Sequence, residues 1–154
     1  MPVNRAEKRA LTPFHIAVQV RDLEEARHFY GQELGFAEGR SSQSWIDFDM
    51  FGHQFVVHLN SELGKQGKLG SISNPVDGQG VPVPHCGVVM QMDEWKAFAS
   101  RVEQVVDSFI IEPCVRFAGE IGEQATMFFQ DPSGNALEFK AFDNIEASLF
   151  SREK

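Results

Sequence analysis

The sequence predicts an α+β fold made of two βαβββ modules within a single domain. Three observations point there. Short apolar segments of strand character are separated by turn residues. Two longer segments carry apolar residues at helical spacing. The order of elements in the first half recurs in the second, with Asp49-x-x-Gly52 and Asp131-x-x-Gly134 at corresponding places, an internal repeat. At 154 residues the chain lies within the usual range of one domain, and 42% hydrophobic residues with 14 Phe suffice for a core.

Residues 14–20, FHIAVQV, alternate and read as a strand. Residues 22–36 follow as a helix. Asp22 with Glu25 three residues later is a start signal. Leu23, Ala26, Phe29 and Tyr30 recur at helical spacing, and Gly31 or Gly35 ends the run. Residues 44–50 and 54–60 read as strands joined through Phe51-Gly52. In the second half, 85–90 is a strand and 93–109 a helix, with Trp95, Phe98, Ala99, Val102, Val105 and Val106 on one stripe. Residues 125–131 and 136–142 are strands around Pro132-Ser133-Gly134. The second strand of each module has the weakest pattern and is expected near 37–40 and 110–117. Module one then spans 12–60 and module two 85–142. Residues 61–84 between them are rich in Gly, Ser and Pro and read as neither strand nor helix. They read first as a linker that lets the modules pair, and second as a lid over a site.

Composition narrows the function classes. A net charge of −8 argues against nucleic acid, because phosphate binding needs a basic face. No run of about 18 apolar residues is present, so no membrane span is expected. The N-terminal MPVNRAEKRALTPF is basic but lacks the apolar stretch of a signal peptide, and a cytoplasmic protein is expected. Cys86 and Cys114 are then expected as reduced thiols.

Strand parity separates the faces. Ile16, Val18 and Val20 point to a helix, and His15, Ala17 and Gln19 away from it. Phe55, Val57 and Leu59 point inward, and Val56 and His58 outward. Cys86, Val88 and Met90 point inward, and His85, Gly87 and Val89 outward. Leu137 and Phe139 point inward, and Glu138 outward. A carboxylate in the middle of an apolar strand needs a cation, a metal or a proton beside it. The helix-free face therefore carries His15, His58, His85 and Glu138, with His15 and His85 at matching starts of the module-opening strands. If the modules pair about a pseudo-twofold, His15, His85 and Glu138 converge. Two imidazoles and one carboxylate with open positions suit Fe(II), and also Mn(II) or Zn(II). Each residue alone has a plainer reading: a hydrogen-bonded histidine of core or rim, and a Glu138 paired with Lys140. His28 reads as solvated helix surface and His53 as loop surface. Arg116 or Glu120 is a candidate for the mouth of the site.

Residues 14–36 (FHIAVQVRDLEEARHFYGQELGF), 84–90 (PHCGVVM) and 127–142 (MFFQDPSGNALEFKAF) resemble the vicinal oxygen chelate superfamily. That group includes glyoxalase I, the bleomycin-resistance proteins, fosfomycin-resistance transferases and type I extradiol dioxygenases. The resemblance implies sheets curled into a half-open barrel, or cup, with helices outside. It implies a metal inside held by His15, His85 and Glu138, and a homodimer, sometimes with swapped modules.

The resemblance also sorts the activities. The fourth ligand of glyoxalase I, a Glu, falls here on Val56, which cannot ligate. Bleomycin-binding proteins lack the ligand set that this chain has. Fosfomycin transferases usually carry Thr two residues after the first His, where this chain has Ala17. Extradiol dioxygenases use the same triad with Fe(II) and place an acid–base His on the kind of strand that His58 occupies. A further family His or Tyr upstream of the ligand Glu has no counterpart in 114–129. The resemblance thus implies an Fe(II) dioxygenase that cleaves an aromatic vicinal diol with O₂, with His58 as its catalytic acid–base. The alternatives are a glyoxalase- or fosfomycin-transferase-like isomerase or thiol transferase using Mn(II) or Zn(II), and a metal-free module that binds a small molecule.

Overall fold

A computed structural model describes residues 11–152; the first ten residues of the basic N-terminal stretch lie outside the described residues. The alternating residues after Phe14 form strand β1 (His15–Val20), with Val20 buried and His15, Ala17 and Gln19 exposed. Asp22 caps the helix that follows, its Oδ1 accepting from the Glu25 amide at 2.8 Å. That helix, α1 (Leu23–Ala26), widens at once into a π-helical stretch (Arg27–Glu33), where the Leu34 amide reaches back to the Phe29 carbonyl. Gly35 ends it at φ +83°, and the Arg101 guanidinium occupies the space that a side chain at 35 would fill. Arg101 donates to the last helix carbonyls, Glu33 at 2.8 Å and Gln32 at 3.0 Å.

Strands β2 (Ala37–Ser41), β3 (Trp45–Met50) and β4 (His53–Leu59) complete the first module in the order β1-β4-β3-β2, with β1 and β4 parallel. His53 belongs to β4 rather than to a surface loop: its Nδ1 accepts from the Phe14 amide at 2.8 Å.

Residues 61–84 are not structureless. After a short 3₁₀ turn (Ser61–Leu63), β5 (Ile72–Val76) and β6 (Gln79–Val83) form an antiparallel hairpin. Asp77-Gly78 makes its two-residue turn, both residues at positive φ (48° and 80°), as a type I′ turn requires.

The second module repeats the first. Strands β7 (His85–Cys86) and β8 (Val89–Gln91) replace the single expected strand. Helix α2 (Met92–Val105) then leads to β9 (Ile111–Arg116), β10 (Gln124–Gln130) and β11 (Ala136–Phe142). The order β7-β11-β10-β9, with β8 also on β11, copies that of module one. Helix α2 ends before residue 109 because Val106 turns extended (φ −101°, ψ 123°), yet Val106 and Phe109 still pack on the core. A final helical turn, α3 (Ile145–Ser148), follows. Among the described residues no helix is long and apolar enough to cross a membrane.

The helix-facing sides of both sheets share one core. Phe36 stacks on Phe98 at 5.9 Å, Phe51 meets Phe98 edge-on at 5.1 Å, and Phe29 meets Phe129 at 6.4 Å. A polar clasp reinforces this junction. The turn after β10 buries Asp131, whose carboxylate accepts from the Ser133 and Asn135 amides, the Asn135 side chain, and the Tyr30 hydroxyl at 2.6 Å. Asn135 also donates to the Gln19 carbonyl, and Ser133 Oγ accepts from the Arg21 amide.

Burial raises the Asp131 pKa above its ordinary 3.8, more than its donors lower it. The folded carboxyl then holds its proton more tightly than the unfolded one. Its contribution is full below pH ~3.8 and declines as pH rises through the raised value. Asp131→Asn is expected to lower stability throughout, because its amide faces the Tyr30 and Asn135 donors. The deficit should be largest near pH 4 and narrow towards neutrality; urea titrations across this range that show it widening would refute the assignment.

Candidate metal centre

The shared register defines what is equivalent in the two modules. In module one, His15 lies beside Gln54 across the parallel β1–β4 pair. In module two, His85 lies beside Ala136 across β7–β11. Two residues further along the partner strands stand Val56 and Glu138. The two histidines are therefore structural counterparts, and Val56 holds the place of Glu138.

Module two brings two of the expected ligands together. His85 Nε2 lies 3.6 Å from Glu138 Oε1. His85 Nδ1 is 2.7 Å from the Pro82 carbonyl in β6, which can only accept, so Nδ1 carries the proton and Nε2 presents its lone pair. Thr126 Oγ1 donates to Glu138 Oε2 at 2.8 Å. Gly87 allows this approach: a Cβ there would stand 1.6 Å from the Glu138 carbonyl oxygen. Phe128 meets the His85 ring edge-on at 4.8 Å. Behind the site, burial and the Asp131 charge push the Cys86 thiol up to about 11, so it stays a neutral thiol.

His15 lies elsewhere, on the exposed outer face of module one. Its Nδ1 is 2.7 Å from Gln54 Oε1, and Gln54 Nε2 donates to Asp47 Oδ2 at 3.3 Å, which fixes the amide orientation. His15 thus also presents Nε2. Within the chain, no three or more His, Cys, Asp or Glu side chains gather to hold a metal among the described residues. One chain thus places two of the expected ligands together in module two and the third, separately, in module one.

The donor chemistry fits a divalent metal. Both imidazoles have Nδ1 committed to a carbonyl-type oxygen, the usual support of a metal-binding histidine. Two atoms each about 2.1 Å from one cation lie about 3 Å apart at right angles, close to the His85–Glu138 spacing.

His58 lies on the same outer face as His15, beside Gln19 and Trp45, exposed and without a hydrogen-bond partner among the described residues. It stands two residues, roughly 7 Å, beyond Val56. His28 is exposed, as expected, against Gln32 and Glu33. Arg116 lines a cavity of about 480 Å³ bounded by β9, β10, β11 and the hairpin, which also includes His85, Thr126, Phe128, Glu138 and Lys140.

Over residues 12–139 the sequence matches the Glyoxalase/Bleomycin resistance protein/Dioxygenase superfamily, and the chain belongs to it. The superfamily's name spans enzymes and resistance proteins. A glyoxalase/bleomycin resistance protein/dioxygenase from Alicyclobacillus acidocaldarius is similar at 29% identity and TM-score 0.66, over 91% of this chain and 98% of that one. The fosfomycin resistance protein FosX from Listeria monocytogenes matches at 18% identity and TM-score 0.56, over 88% of this chain and 94% of that one. Lactoylglutathione lyase from Agrobacterium tumefaciens matches at 16% identity and TM-score 0.56, over 87% and 96%. The last two share the fold. No curated protein matches the chain.

Gly87→Ala is expected to force β7 and β8 away from β11, because the obstructing atom is backbone. A loss of about 3 kcal/mol of stability is expected, with metal binding weakened beyond that of a Gly31→Ala control. Equal stability and metal content would refute the close-approach argument.

Proposed function

We propose that the protein is a metal-dependent enzyme acting on a small molecule, with Fe(II) held by His15, His85 and Glu138 and an aromatic vicinal diol as substrate for extradiol-type cleavage by O₂. The observation that carries this reading is the pair of supported imidazoles. His85 and His15 each offer Nε2, and His85 does so 3.6 Å from Glu138. A divalent cation bound there would supply Lewis-acid polarisation and lower the pKa of a coordinated hydroxyl. The residues around it have separate tasks. Pro82 and Gln54 hold the rings, and Thr126 holds the carboxylate. Phe128 offers an aromatic edge beside the substrate position. Val56 withholds a fourth protein ligand, which weighs against lyase chemistry and leaves room for two reactants. His58 takes a substrate proton and returns it, a task suited to an imidazole near neutral pH.

We further propose that two copies of the chain complete the centre, His15 of one meeting His85 and Glu138 of the other. A mixture of His15→Ala and Glu138→Ala chains tests this. In a mixed dimer with exchanged halves, one centre carries both lesions and the other is intact, so half the metal returns; centres formed within one chain would recover none. His58→Ala should keep iron while kcat falls by roughly a hundredfold or more; oxygen uptake at the parental rate with a catechol panel would refute its role. The likeness to FosX supports a second reading, a Mn(II)- or Zn(II)-dependent transferase. Stoichiometric manganese or zinc without oxygen uptake would favour it.

A further inference from the structure

The cavity of module two contains a cation that the ligand set does not use. Lys140 stands two residues after Glu138 on β11, on the same face, opposite Thr126 in the β10 register. It is half-buried, and its ammonium has no hydrogen-bond or ion-pair partner among the described residues. An ammonium partly withdrawn from water loses hydration and gains from an opposite charge.

The acids nearby are already engaged. Glu138 faces His85 and Thr126. Asp77 at the hairpin tip lies 3.5 Å from Arg116, the other cation lining the cavity. The outer face of module one offers no replacement. Asp47 is held by Gln54 and lies 3.9 Å from Arg40, and Asp49 caps the Gly52 amide. In a chain of net charge −8, the cavity balances two acids, Asp77 and Glu138, with two cations, Arg116 and Lys140, and Lys140 is the cation without a partner among the described residues. The remaining walls, Phe128, Val81, Ile111 and Phe142, suit a flat apolar body.

We infer that Lys140 is a specificity-determining residue that binds an anionic substituent, a carboxylate or its equivalent, on the substrate of this cavity. The choice of substrate body rests on the reading proposed above; the charge preference rests on the unpaired lysine. Lys140 supplies the directed contact. Arg116, more exposed and already shared with Asp77, contributes to the field at the entrance.

Two probes that differ only in the charged group test this: 3,4-dihydroxybenzoate and 4-methylcatechol, titrated calorimetrically into metal-loaded protein under anaerobic conditions. Wild type should bind the carboxylate roughly five- to tenfold more tightly, as one charge-assisted contact allows. The preference should shrink between 50 mM and 500 mM salt. Lys140→Met should bring the two affinities within about twofold by weakening the carboxylate alone, and Lys140→Arg should restore most of the difference. Equal binding by wild type, a preference that survives Lys140→Met, equal weakening of both probes, or no binding of either would overturn the inference. Oxygen uptake is read separately. A charge preference without uptake sinks the dioxygenase reading and leaves the role of Lys140 standing. Uptake with both probes and no preference does the reverse.

Discussion

The Asp131 carboxylate is the constraint on which the arrangement of the two modules depends. It is buried at the turn between β10 and β11, and one of its four donors is the only tyrosine of the chain, Tyr30 in the first helix. A buried carboxylate left short of donors costs several kcal/mol, so the turn and the helix are fixed relative to each other. The same turn sends Asn135 to the Gln19 carbonyl and receives the Arg21 amide at Ser133, which ties it to the end of β1. Immediately after this turn the chain enters β11 and reaches Glu138. The element that joins the modules thus also sets the start of the strand that carries Glu138.

The helix faces of the two sheets are joined in one core, and the outer-face candidates His15, His85 and Glu138 do not gather into one group among the described residues. His15 and His85 occupy equivalent places by register, while the packing that joins Phe36 to Phe98 and Tyr30 to Asp131 holds the two modules together. The repeat is also chemically unequal. Glu138 in module two corresponds to Val56 in module one, so one module has two ligand-type groups and the other has one. A symmetric pair of chains can combine unequal halves into two identical centres without any change in either module.

Much of this was legible in the sequence. Period-two alternation matched the burial of most residues of β1 and β4; the exceptions are Val56, read as outward yet buried at 4% exposed, and Leu59, read as inward yet 38% exposed at the strand end. The Asp22–Glu25 start signal formed the cap it suggested, and the weak second strands fell at 37–41 and 111–116. The hairpin was missed because Gly, Pro and Ser dominate its composition. The local signal was nonetheless present: Asp-Gly between two short segments rich in β-branched residues is a type I′ turn. The break between β7 and β8 was hidden because Gly87 answers to a tertiary contact, the Glu138 carbonyl, that no local pattern carries. The supports of His15, His85 and Glu138 were hidden for the same reason. Gln54, Thr126 and the Pro82 carbonyl act across strand pairs, and the packing that keeps His15 from the His85–Glu138 pair within a chain involves residues about a hundred positions apart.

The hairpin makes the outer faces unequal in a second way. Val81 is buried against Phe128 and Ala136, and the Pro82 carbonyl orients His85, so β6 both covers an apolar part of the sheet and sets a tautomer. Nothing similar covers module one among the described residues, where Gln19, Asp47, Asp49, Gln54 and His58 keep the outer face polar. An apolar residue such as Phe128 needs cover at an open sheet face, whereas a polar row does not. Had the segment 61–84 been the featureless tether its composition suggests, Phe128 would lie open and the His85 ring would lose the acceptor that selects Nε2. The same hairpin bounds the cavity in which Lys140 lies, so the cover of Phe128, the orientation of the imidazole and one wall of the cavity all follow from one two-stranded insertion between the modules.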